Sequence, residues 1–286
     1  LIGRENISDV DGAIIELVKN GYDADSRYSI VYIDNKYSVF HELLSVEQYI
    51  ALQNVGIELS LLEEIYIKKG EEYVAENSTN PGIPLLIEQQ KKNAKLYIID
   101  CGEGMSRDII ENYWMTIGTD NKSNNFITPN GRIKAGAKGI GRFALDKLGE
   151  RCEMLTFFDV NVHNCKDEDS AFKGYRWNVN WNDFEGVDKT IDHVDAELEG
   201  ISTTYIENIE LLNIPDSIKD LLKVSKATHG TILKISGLRD IWDEEAVAQL
   251  YDDLGVLVPP IENQDYSIVL KDSLKPQKYG VIESAF

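Results

Sequence analysis

No stretch of this 286-residue sequence is apolar for long enough to cross a bilayer as a helix, which excludes a membrane-spanning helical protein. No charged-then-apolar leader precedes Gly3, as expected of a piece cut from a longer chain. Cysteine is scarce: Cys101, Cys152 and Cys165 form an odd set with no metal-ligand spacing, so reduced thiols and a cytoplasmic setting are expected. Positive charge is scarce too. Twenty-nine Lys and Arg stand against 49 Asp and Glu, and a net charge of −20 repels phosphate backbones. This acidic segment is therefore a poor grip for nucleic acid, although further domains could bind it. The chain opens on Leu1 rather than Met and stops within what reads as an unfinished element, so it is expected to be a piece of a longer protein.

What is present is a soluble, globular composition, 43% apolar, long enough for one large domain and part of a second. Val10, Ala13, Ile14, Leu17 and Val18 recur at helical spacing after Ser8 and Asp11, which together resemble a capping box. Alternation predicts strands at 29–34 and 95–99, and strand-like runs follow at 153–162, 175–181, 203–208 and 231–235. Helices are expected at 109–115, from Ile140 to Gly149, at 217–227 and after Asp243. The acidic stretch 183–200 reads as a surface loop. Residues 36–93 form a long insert with helical periodicity, favoured as a flap over one edge of the core rather than as a docking surface. Pro259-Pro260 marks the expected boundary between a domain spanning 1–258 and the start of a second at 259–286.

Four short segments carry chemistry. Glu16, Asn20 and Asp23 recur at i, i+4 and i+7, a polar row beside the apolar stripe of the first helix. Alone, such a row is more often a solvated face, yet a Glu can deprotonate a water while an Asn oxygen ligates magnesium. Asp100 ends an apolar strand and leads into Gly102, Gly104 and Met105. An ionised carboxylate only accepts hydrogen bonds, so it can take one from the exocyclic amine of adenine and disfavour the guanine oxygen. The glycines let a flat base approach the backbone.

The run Gly136-Ala-Lys138-Gly139-Ile140-Gly141-Arg142 opens a helix, where free N–H groups and the dipole favour phosphate. It lacks the ending of a P-loop and the spacing of a dinucleotide fingerprint. It lies in the one locally basic stretch, from Arg132 to Arg151, which points to a small anionic ligand. Gly230-Thr231 opens a late strand and offers a hydroxyl near the base. The polar, glycine-punctuated stretch 118–139 has the composition of a mobile loop.

In this order and context, the segments Glu16 to Ala24, Asp100 to Met105, Trp114 to Lys122 and Gly136 to Arg142 resemble the boxes of the GHKL superfamily of gyrase, heat-shock chaperone, histidine kinase and MutL ATPases. They look most like the MORC-like and MutL-like members and related bacterial ATP-binding proteins. The resemblance implies an α+β fold, a two-layer α/β sandwich with a mixed, mostly antiparallel sheet, and ATP with Mg²⁺ under a lid at 112–139. It implies Glu16 as general base, Asn20 as magnesium ligand, Asp100 as adenine reader and Asp23 as support. Lys122, Lys138, Gly139 and Gly141 would contact phosphates, and Thr231 would match a threonine near the base. A slow ATPase gated by lid closure and homodimerisation, driving an effector domain outside this chain, is the expected function. The alternatives are a nucleotide-switched binding module and a histidine-kinase catalytic domain. Glu16 disfavours the kinase, and none of His41, His163, His193 and His229 lies in a helical phospho-acceptor box.

Overall fold

The computed structural model describes residues 10–114, 127–134, 141–163, 171–181, 197–258 and 265–283, with the side chains of 141–144 left out. Its centre is a seven-stranded sheet in the order β10-β1-β5-β9-β6-β7-β8. These strands are β1 (Tyr28–Asp34), β5 (Lys95–Asp100), β6 (Gly149–Phe157), β7 (Gly174–Asn180), β8 (Glu197–Ile201), β9 (Gly230–Leu238) and β10 (Ser267–Asp272). Every neighbouring pair is antiparallel except β1 with β10.

The strands at 29–34 and 95–99 are present but buried on both faces, not on one as the alternation suggested. Val31, Ile33, Leu96, Ile98, Met154 and Leu233 pack under α1 (Val10–Asp23), α6 (Gly141–Leu148) and α9 (Glu244–Gly255). Their alternates Ile30, Tyr32, Tyr97, Ile99, Leu155 and Ile232 pack against Tyr205, Ile209, Ile218 and Leu222. Those four belong to α7 (Tyr205–Leu211) and α8 (Asp216–Val224); the short α5 (Arg107–Ile109) follows β5. The expected α/β sandwich is present, and this additional helix pair covers part of its second face. No helix among the described residues is long and apolar enough to cross a membrane.

The insert has its own small core. It contains α2 (Val46–Asn54), α3 (Leu59–Ile65) and α4 (Ile83–Asn93). It also contains three short strands, β2 (Leu43–Ser45), β3 (Tyr66–Lys69) and β4 (Glu72–Ala75), paired as β2-β4-β3. The helical expectation for 36–93 thus omits a sheet. Leu44, Leu52, Leu62, Ile65 and Leu86 are buried together, and Tyr49 stacks on Tyr73 with ring centroids 3.7 Å apart. α4 packs beside β9, and Lys91 donates to the Arg239 carbonyl.

Three further expectations are corrected. Residues 203–208 are no strand: Thr204 and Glu207 form a reciprocal capping box that starts α7. The acidic stretch to Gly200 is not all loop, since its end forms the edge strand β8. The described residues after 265 belong to the central sheet rather than to a second domain. β10 pairs along β1, and Tyr266, Ile268, Leu270 and Ile282 lie in the main core. Ser8, Pro259 and Pro260 lie outside the described residues.

Candidate functional site

β5 ends at Asp100, where the chain leaves the sheet and turns through Gly102 and Gly104. Asp100 Oδ1 accepts from the Gly102 N–H at 2.9 Å and from the Thr231 N–H at 3.2 Å. Among the described residues Oδ2 receives no hydrogen bond. Burial pushes this carboxyl up to about 6, against the opposing pull of the two amides. It is still mostly ionised at neutral pH, and its surface is partly accessible.

The glycines are sterically required. A Cβ on Gly102 would lie 2.6 Å from the Ala24 carbonyl oxygen, and Gly104 combines a φ of 64° with backbone contact to Phe157. The Met105 N–H donates to Thr156 Oγ1 at 2.9 Å, which in turn lies 3.1 Å from Thr231 Oγ1. A hydroxyl pair thus links the loop after Asp100 to the strand that carries Thr231.

The C-terminal end of α1 reaches the same place. Gly21, directly after Asn20, seats on β1 and β5: a Cβ there would meet Ser29 Oγ and would approach the Asp100 Cβ to 3.2 Å. A side chain at position 21 would therefore collide with β1. Asp23 is buried near the helix end, while Glu16 is part-exposed and pairs with Lys19 at 3.0 Å. The turn after α1 then binds the Asp100 loop directly. Ala24 accepts from the Glu103 N–H at 2.9 Å, and Ser26 Oγ accepts from the Cys101 N–H at 2.8 Å.

Sequence reasoning missed the role of Arg132. Residues 127–134 form a tight turn closed by the Ile127–Ile133 bridge, consistent with the Asn130-Gly131 signal. From it the Arg132 guanidinium donates to the Ser26 carbonyl at 2.7 Å and the Asp265 carbonyl at 3.0 Å. It also lies over the rings of Tyr22 and Tyr266, 5.1 and 5.7 Å from their centroids. Asp25, in a left-handed conformation with φ 56°, accepts from Thr128 Oγ1 and the Asn130 N–H. The signal was one arginine after an Asn-Gly turn; its partners come from distant segments. Of the expected phosphate contacts, Lys122, Gly136, Lys138, Gly139 and Ile140 lie outside the described residues. Gly141 and Arg142 open α6, which packs along α1.

Residues 7–180, more than half of the chain, match the family described as Histidine kinase-, DNA gyrase B-, and HSP90-like ATPase. The chain belongs to this GHKL-type family. No individually curated protein matches it. In this GHKL domain the first matched element is α1 and the last is β7, so the match takes in the acidic row, the Asp100 loop and the insert. Thr231 lies beyond it in sequence but beside Asp100 in space. Two lysines near the end of the described residues have other surroundings. Lys271 pairs with Tyr32, well along β1 from Ser29, the partner of Asp100. Lys275 follows β10 and pairs with Glu244 at 3.0 Å.

Proposed function

We propose that this GHKL domain binds ATP with Mg²⁺ and hydrolyses it slowly, and that Asp100 reads the adenine. The observation that carries this is the asymmetric use of the Asp100 carboxylate, with both backbone donors on Oδ1 and none on Oδ2. Oδ2 can accept from an exocyclic amine, and the loop through Gly102 would form one wall beside it. Thr231 and Met105 complete that wall, directly or through water.

Helix α1 supplies the other half. Asn20 would hold Mg²⁺ through its amide oxygen, and the metal would neutralise phosphate charge when bound. Asp23 supports that end of the helix. Glu16 orients the attacking water and takes its proton; the Lys19 contact on Oε1 fixes the carboxylate on its helix. Lys122, Lys138, Gly139 and Gly141 hold the phosphates in this proposal, with Gly136, Ile140 and Arg142 shaping the same glycine-rich run. A glutamate in the first box favours the hydrolysing MORC-like and MutL-like members over a histidine kinase, which must not spend ATP on water.

Glu16→Gln tests the chemistry. Phosphate release is expected to fall by about 100-fold or more while ADP affinity stays within about threefold. Release at the unaltered rate would remove Glu16 from the role of base. Gating by homodimerisation is tested by sizing the chain with and without a non-hydrolysable ATP analogue. A shift to the dimer supports the gated ATPase; a shift with no phosphate release supports the nucleotide-switched module. Radiolabelled γ-phosphate appearing on the protein would support the kinase.

A further inference from the structure

The loop that carries the purine reader is held by more than its glycines. The three consecutive carbonyls of Gly102, Glu103 and Gly104 each have a donor. His229 Nδ1 meets the Gly102 oxygen. His163 Nε2 lies 3.2 Å from the Glu103 oxygen and 3.1 Å from the Gly104 oxygen. The Asp159 N–H donates to the Glu103 oxygen at 2.8 Å. Carbonyls only accept, so the nitrogen that donates to the loop is Nδ1 in His229 and Nε2 in His163.

The Asp159 side chain organises the same group. Its Oδ2 lies 3.6 Å from His229 Nε2, and its carboxyl is held low by the Asn161 backbone N–H, with both histidines adding to the effect. His229 also has a fixed backbone. Gly230 follows it with a φ of 146° and backbone packed on the Asp100 carbonyl, and the next residue, Thr231, donates to the Asp100 carboxylate. One strand start therefore grips the reader by its side chain and the loop beyond it by a carbonyl.

Both histidines lie outside the roles assigned to the site so far, and neither is a phospho-acceptor candidate. Resting on the adenine reading of Asp100, we propose that His229 and His163 are positioning residues that hold the 102–104 backbone by its carbonyls, and that this hold sets the preference of the site for adenine over guanine. Discrimination at the purine 6-position requires Oδ2 to stay close to the base. A loop released by a few tenths of an ångström admits a water between carboxylate and base, and a water can donate to a guanine oxygen as readily as it accepts from an adenine amine.

The different donor nitrogens supply a crossed test. Asparagine places an amide N–H where Nδ1 was, and glutamine places one where Nε2 was. ADP and GDP affinities would be measured by calorimetry on the whole chain for the unaltered protein, His229→Ala, His229→Asn, His229→Gln, His163→Ala, His163→Gln and His163→Asn. The alanine variants are expected to weaken ADP by about tenfold and to narrow the ADP-to-GDP ratio severalfold. His229→Asn and His163→Gln should restore that ratio, whereas His229→Gln and His163→Asn should not. If the alanine variants do not fold, the four amide variants carry the test alone.

A ratio unchanged in every variant, with only the melting temperature moved, would overturn the proposal. So would equal rescue by asparagine and glutamine at one position. Asp100→Asn is the control on the underlying reading. If it loses ADP while the histidine variants keep the ratio, this proposal fails alone. If the unaltered chain binds no ADP, the adenine reading fails and takes this one with it.

Discussion

Two polar clusters close opposite ends of the same central strands, and they use their hydrogen-bonding capacity differently. At the far end of β1, Asn35 is fully buried and spends every polar atom on protein. Its side-chain N–H donates to the Trp242 carbonyl at 2.7 Å, its side-chain oxygen accepts from the Leu274 N–H at 3.0 Å, and its backbone N–H reaches Ser273 Oγ at 2.8 Å. At the near end Asp100 spends one oxygen and keeps the other. A structural polar group saturates itself within the fold, whereas one that receives a ligand keeps an acceptor in reserve and carries the cost of burying charge. Incomplete pairing alone does not mark a site, since Asp272 Oδ2 at the far end is also without a partner among the described residues but sealed in the fold; at Asp100 it goes with partial exposure.

Changing one end and measuring the other tests this contrast. The largest effect is expected from Asn35→Ala, which strands the Trp242 carbonyl and the Leu274 N–H. A loss of about 3 kcal/mol in urea denaturation, with ADP affinity unaltered in the folded fraction, is the expected result. Asp100→Asn should invert both outcomes. ADP affinity should fall by about 10- to 100-fold, while stability at pH 7.5 rises by about 1 kcal/mol, discounted for partial exposure. The sign follows from a carboxyl raised to about 6 from its ordinary 3.8. Between those values the folded chain binds the proton more tightly than the unfolded one. The stability owed to Asp100 is therefore present at low pH and lost as pH rises through 6. Above that range Asp100 is the costly form and asparagine relieves it.

The same shift predicts a pH profile for binding. A protonated Asp100 no longer presents an ionised acceptor, so ADP affinity should fall below pH 6, by about tenfold at pH 5, in calorimetry across that range. Asp100→Asn should flatten the profile. The smallest effect belongs to Arg132→Lys, which keeps the charge and loses the fork to the Ser26 and Asp265 carbonyls as well as the stacking on two tyrosines. A loss of about 1–2 kcal/mol in thermal unfolding is expected, and an unchanged melting temperature would show the turn at 127–134 to be held by Asp25 alone.

Much of the near end was legible in the sequence because its requirements are local. A helix with an acidic row, a strand ending in Asp100 and two glycines can be placed from spacing alone, and each lies on the element expected. What escaped depends on partners distant in the chain. Arg132 meets Ser26 and Tyr266, and His229 meets Gly102, contacts that no periodicity records. The edge strand β8 escaped because its residues are mostly exposed and lack apolar alternation. At 203–208 the β-branched and aromatic residues suggested a strand, yet Thr204 with Glu207 was a readable capping box, and the cap prevailed. Short strands in the insert were hidden by the stronger helical spacing around Leu59, Leu62 and Ile65.

The pairing of β10 with β1 bears on how the chain is made. Tyr28 emerges from a ribosome long before its neighbour Ser267, so one margin of the sheet stays bare while everything between them is made. The aromatic seat of Arg132 waits as long, because Tyr266 supplies half of it. A nascent chain of this sequence therefore carries an uncovered, β-prone border until β10 is made, a condition that favours shielding by a chaperone.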